Sequence, residues 1–178
     1  MSTMVPINGL HHFAYRCRDA EETRHFYEDI LNLPLVHIVR AETVPSTGEF
    51  CPFVHLFFQM RDGSHIAFFD LGDNVKAEPS ANTPAWVNHL ALAVGSLDEL
   101  HDAKARLEAA GIPILGVTDH HFIHSIYFFD PNGIRLELTT DIGLTEYKSE
   151  KLRSAHDELA AWTQEKQERL RQAAASGA

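Results

Sequence analysis

Residues 9–19 read GLHHFAYRCRD and residues 88–94 read NHLALAV. Each is a short run rich in strand formers, and each leads into a helix start. With His12 laid on His89, Ala14 falls on Ala91, and the runs meet their helix signals after equal lengths. Side chains alternate across a strand. His12, Ala14 and Arg16 therefore share one face, while His11, Phe13 and Tyr15 share the other. In the second run His89, Ala91 and Ala93 lie opposite Leu90 and Leu92. The bulky faces suit a core. A histidine followed by alanine leaves room for a cavity, so the pattern directs His12 and His89 into a shared concave surface and turns His11 away.

The correspondence continues outward. NGLHHFAYRCRDAEETRHFYEDILNLPLV (8–36) and AWVNHLALAVGSLDELHDAKARLEAAGIPIL (85–115) both read strand, helix, return strand. Ser96 with Glu99 is a capping box, and Asp19 with Glu22 is its close relative. Gly111 and Pro113 stop the second helix. VHLFFQMRDGSHIAFFDL (54–71) aligns with HSIYFFDPNGIRLELTT (124–140) when the turn glycines Gly63 and Gly133 are superposed. Arg-Asp-Gly and Pro-Asn-Gly are hairpin signals between strand-like runs. The expected fold is α+β: two βαβββ modules in a pseudo-twofold pair sharing one core around a concave cleft, at 7–73 and 85–141. The polar segment 74–84 links them, and 142–178 form a helical tail. From 144 to about 172 the tail should be one helix, with its stripe of Leu152, Ala155, Leu159 and Trp162 buried on its own body or across a homodimer.

Composition narrows the function classes. The 178 residues carry a net charge of −10, and no Lys/Arg cluster appears, so no nucleic-acid partner is expected. No apolar run approaches membrane-spanning length, and the opening lacks a secretory pattern, so the expected location is cytoplasmic with no membrane contact. Cys17 and Cys51 lie in strand-like runs and read as reduced thiols. Histidine is the unusual count, at 12.

Glu137 sits amid apolar residues in IRLEL (134–138). A buried carboxylate there costs several kcal/mol unless a cation or hydrogen bonds satisfy it. Alone, it could pair with Arg135 or lie on an edge strand, and either histidine alone could be satisfied or exposed. Together, two imidazoles and a carboxylate form a facial triad with open positions, the pattern of non-haem Fe(II) and related Mn(II) sites. DHHFIHSIY (119–127) adds histidines before Tyr127. An imidazole titrates near neutrality and suits proton transfer, although a histidine-rich surface loop is the plainer reading for His121 and His124. His55 and His65 could line the pocket, but nothing in the sequence selects them.

GLHHFAYRCRD, NHLALAV and YFFDPNGIRLEL together resemble the vicinal oxygen chelate superfamily, which includes glyoxalase I, epimerases, fosfomycin- and bleomycin-resistance proteins and type I extradiol dioxygenases. The resemblance spans roughly residues 7 to 141 and leaves out the tail. It implies metal ligands His12, His89 and Glu137. The isomerases' fourth ligand would fall on Ala67, or on Phe68 with a one-residue slip, and neither can bind metal; Asp70 is a poor substitute. The ten-residue interval from Tyr127 to Glu137, and His120 seven residues before Tyr127, resemble the extradiol enzymes' active-site tyrosine and acid–base histidine. The expectation is an Fe(II) (or Mn(II)) ring-cleaving dioxygenase acting on a small aromatic diol with O₂, as a homodimer. His120 and Tyr127 would be catalytic, with Phe53, Phe57 and Phe122 as apolar walls. The alternatives are a glyoxalase- or epimerase-type lyase or isomerase, and a metal-free ligand-binding resistance protein.

Overall fold

The computed structural model describes residues 9–143 and 145–176. The first module runs β1 (His12–Cys17), α1 (Ala20–Arg24), β2 (Leu35–Thr43), β3 (Phe50–Gln59) and β4 (His65–Asp70). α1 continues as a π-helical segment, His25–Ile30. The second module runs β5 (Leu90–Ala93), α2 (Leu97–Ala109), β6 (Leu115–Asp119), β7 (Ile123–Phe129) and β8 (Arg135–Asp141), and α3 (Thr145–Ser176) follows. Each module closes one four-stranded sheet, in the orders β1-β4-β3-β2 and β5-β8-β7-β6. The first strand of each lies parallel to the last, and the rest pair as antiparallel neighbours.

Local signals act as the sequence suggests. Asp19 accepts from the Glu22 amide and Ser96 from the Glu99 amide. Glu99 reaches back to the Gly95 amide, one residue before the cap. Gly63 and Gly133 take positive φ values of 87° and 83° at the two hairpin turns, where a side chain would strain the backbone.

The sheets share one core. From the first come Cys17, Leu56, Phe58, Ile66 and Phe68, with Phe26 and Tyr27 of the π-helical segment; from the second come Ile126, Phe128, Leu136 and Leu138, with Leu100 and Leu107 of α2. The alternate residues, His12 in one sheet and Glu137 in the other, lie on the faces turned away from this core. A buried polar clasp joins the modules. The Tyr27 hydroxyl donates to Asp130 Oδ2 at 3.1 Å. Asn132 donates to Thr23 Oγ1 at 3.2 Å and accepts from the Arg18 amide at 3.0 Å. Asp130 Oδ1 also accepts from the Asn132 and Ile134 amides. Outside the core, Arg106 donates to the carbonyls of Asp29 and Ile30.

The tail is helical, and of the two expected ways of burying its stripe the single chain does not supply the first, packing on its own body. Ala155 is exposed, and Leu159 and Trp162 are 61% and 55% exposed; the Leu152 side chain lies outside the described residues. The stripe is narrow and the rest of the helix is charged. Pairs such as Ser154–Glu158, Glu165–Arg169 and Glu168–Arg171 support the helix along its own surface, and the Arg169 guanidinium stacks 4.4 Å from the Trp162 ring.

Tyr27→Phe should cost about 1.5–3 kcal/mol in denaturant unfolding, the scale of a buried hydrogen bond to a charged group. Burial holds the Asp130 carboxyl above its usual range. A raised folded pKa favours the fold below the unfolded value, and that contribution is lost as pH rises through the folded one. Asp130→Asn should therefore flatten the stability profile across that window.

Candidate metal centre

The second sheet assembles four of the expected residues. β8 places Glu137 beside Ala91 of β5 and Tyr127 of β7. His89 precedes β5, and His120 closes the β6–β7 turn through its amide to the Ile123 carbonyl. His121 follows in the left-handed region at φ 70°, its amide held by Asp119 Oδ1.

These residues form one polar chain. His120 Nε2 is 2.7 Å from the Tyr127 hydroxyl, and that hydroxyl donates to Glu137 Oε1 at 3.2 Å. Tyrosine has one proton to donate. With it given to Glu137, the phenol oxygen accepts from His120 Nε2–H, which fixes the His120 tautomer. Burial and the Glu137 charge push the Tyr127 phenol up from its ordinary value, so it remains a donor at neutral pH. Arg135 stacks over the Tyr127 ring at 4.3 Å.

The other Glu137 oxygen meets His89 Nε2 at 3.2 Å. His89 Nδ1 faces the Val87 carbonyl at 2.9 Å. A carbonyl only accepts, so Nδ1 carries the proton, and a neutral His89 turns its Nε2 lone pair toward a carboxylate that is 4% exposed. Acceptor then faces acceptor. The contact is favourable only with a second proton on the ring or a cation bound to both atoms. A backbone carbonyl on the far nitrogen is the usual support of a metal-ligating histidine. Two donors about 3 Å apart also suit adjacent positions on one ion with bonds of about 2.1 Å. The pair therefore fits a divalent cation.

His12 lies elsewhere. It occupies the first sheet, with its Nδ1 2.7 Å from His11 Nδ1 and its ring near His55 and Phe57. Among the described residues, no group of three or more His, Cys, Asp or Glu side chains is placed to hold a metal ion. One chain thus brings together His89, Glu137, Tyr127 and His120, while His12 stands on the exposed face of the other sheet. Strand register equates the modules position by position: Ala14 pairs with Ala67 as Ala91 pairs with Glu137, and Phe57 with Ala67 as Tyr127 with Glu137. Ala67 is therefore the counterpart of Glu137, as the turn superposition gives, and Phe57 is the counterpart of Tyr127.

The sequence did not select His55. It shares the His12 face because β3 pairs His55 with Phe69 and β4 aligns Phe69 with Arg16. Burial, with smaller contributions from His12 and His37, pushes its imidazole down to about 4. Phe53 and Phe57 belong to the same face, whereas Phe122 lies in the β6–β7 turn.

Among the described residues, no helix is long and apolar enough to cross a membrane. In a comparison with curated proteins, the chain is 26% identical over 140 residues to "Putative ring-cleaving dioxygenase MhqA" of Bacillus subtilis (strain 168). The match takes in 77% of this chain but only 42% of that relative's length. A glyoxylase/bleomycin resistance protein/dioxygenase domain from Frankia sp. EAN1pec superposes with a TM-score of 0.64 at 19% identity, over 81% of this chain and 99% of that one. A mutant of the fosfomycin resistance protein FosX from Listeria monocytogenes, solved with Mn(II) and 1S,2S-dihydroxypropylphosphonic acid, superposes at 0.57 with 23% identity, over 80% and 98%. At these identities the two structures speak for the fold alone. Residues 9–138 match the family model of the Glyoxalase/Bleomycin resistance protein/Dioxygenase superfamily, and the chain belongs to that superfamily.

Proposed function

We propose that the protein is a metal-dependent dioxygenase that opens a catechol-type ring beside one of its hydroxyls, with His12, His89 and Glu137 holding Fe(II), or Mn(II) in its place. The observation that carries the reading is the contact between His89 Nε2 and the buried Glu137 carboxylate, which a bound cation makes favourable. His12 lies on the first sheet, facing away from the shared core, so it would reach that centre from a second copy of the chain. A twofold dimer that lays each first sheet over the partner's second sheet completes two equivalent centres. Both sheet faces are open for such a contact: His12, Ala14, His89 and Ala91 are all exposed.

A divalent ion held there by His12, His89 and Glu137 would supply Lewis-acid and redox chemistry toward the substrate oxygens and O₂. The rest belongs to the chain's side chains. Tyr127 keeps its proton and holds Glu137 in place, and its phenol oxygen keeps His120 Nε2 at the edge of the site. With Nε2–H given to Tyr127, His120 would use Nδ1 to take a proton from a substrate hydroxyl and return it to the opened product. Both atoms of O₂ end in that product and one ring C–C bond is broken, so the net proton count is zero. Ala67 supports ring cleavage over isomerisation, because the position equivalent to Glu137 carries no fourth ligand and leaves coordination open. The name of the Bacillus subtilis relative supports the same reaction class.

Metal-loaded protein should consume one O₂ per catechol with formation of a semialdehyde acid, read by an oxygen electrode and visible absorbance. Isomerisation of a hemithioacetal without oxygen uptake would contradict this. His120→Phe should keep bound metal and lose turnover by about 10²-fold or more; turnover within a few-fold of wild type would remove His120 from the mechanism.

A further inference from the structure

The first sheet's outer face carries rings on all four strands. Phe57 is their hub: its centroid lies 5.4 Å from His12, 5.5 Å from His37, 4.2 Å from His55 and 6.1 Å from His65. His55 also stacks on Phe69 at 3.7 Å with 20° between the planes, and Phe53 meets Phe69 edge-on at 5.3 Å. His55 is 9% exposed, and its Nε2 is buried without a hydrogen-bond partner. A buried polar atom left unpaired is costly, and native proteins seldom keep one without a reason. The Phe57 and Phe69 rings packed against His55 offer Nε2 no hydrogen-bond partner, and Ala14 on the same face is exposed.

We infer that this face is the binding platform for the substrate's aromatic ring, and that His55 Nε2 hydrogen-bonds an oxygen-bearing ring substituent distinct from the vicinal diol. The inference rests on the ring-cleavage reading and deepens it to a substrate class: a catechol with a further uncharged hydroxyl or carbonyl group. A charged substituent would be desolvated here without a counter-ion. The one arginine on this face, Arg16, is already engaged by the Asp73 carboxylate and the Val75 carbonyl. Rings stack on the phenylalanines in offset or edge-on geometry, and the single polar atom then fixes orientation, the usual division of roles in a small-molecule site.

The test uses full-length, Mn(II)-loaded protein under anaerobic conditions, with two calorimetric probes, catechol and 1,2,4-trihydroxybenzene, and an NMR probe, resorcinol, which is not a vicinal diol. Wild type should bind the triol about tenfold more tightly than catechol, one hydrogen bond's worth of discrimination. His55→Phe should keep catechol affinity and lose the preference, and His55→Gln should restore part of it. Thermal midpoint separates this role from a structural one: His55→Phe should unfold at a higher temperature, because an orphan polar atom is removed, whereas a structural histidine would lose stability. Resorcinol should shift the His55 ring nitrogen saturably in ¹⁵N spectra. If resorcinol shifts His55 but catechol does not bind, the platform stands and ring cleavage falls. If catechol binds, the triol preference survives His55→Phe and the His55 signal is unmoved, the platform falls and ring cleavage stands.

Discussion

The arrangement depends on the buried clasp at Asp130. Its carboxylate takes the Tyr27 hydroxyl from one module and the amides of its own turn from the other, and Asn132 ties the same turn to Thr23 and Arg18. Tyr27, Thr23, Asp130 and Asn132 are nearly inaccessible to water, so a polar group of the clasp that loses its partner cannot recover it from solvent. The clasp holds the two sheets around a common core. It thereby turns both histidine-bearing faces outward, and that constraint decides what one chain can assemble by itself.

Pseudo-symmetry then divides the chemistry. At equivalent positions the second sheet carries Glu137 and Tyr127 where the first carries Ala67 and Phe57. One sheet thus carries a polar chain, which in the proposed reading holds a cation and a proton, and the other a field of rings. The outward histidines, His12 and His89, are the feature both sheets retain. A site built from one face of each has its charge on one wall and its stacking surface on the other, which suits a flat ring bearing two adjacent oxygens.

Much of this was legible in the sequence. Alternation along GLHHFAYRCRD and NHLALAV set which residues face the core, because a period of two is fixed by the strand itself. The turn glycines narrowed the counterpart of Glu137 to Ala67, or Phe68 with a one-residue slip, and strand pairing selects Ala67. The spacing of His120, Tyr127 and Glu137 singled out three residues that the fold brings together, though not the hydrogen bonds that link them. The relative placement of the sheets was not legible. It depends on contacts between Tyr27 and Asp130, about a hundred residues apart, and the same alternation serves facing sheets or sheets turned apart. Nothing in the sequence singles out His55 among the possible pocket residues, because its environment comes from three neighbouring strands. The tail's helix was legible, but a 3/4 apolar stripe shows that a helix can pack, not whether the surface it packs on belongs to the same chain or to a second copy.

The central claim is that one ion is shared by His12 of one copy and His89 and Glu137 of another. It is tested most directly by mixing two inactive chains, His12→Ala and Glu137→Ala, under conditions that exchange subunits, and measuring tightly bound Mn(II). Each variant alone should hold no stoichiometric ion. Random exchange should restore about a quarter of the wild-type content, since half the dimers are mixed and each has one intact centre. A mixture that stays without metal, or His12→Ala alone retaining a full complement, would contradict it.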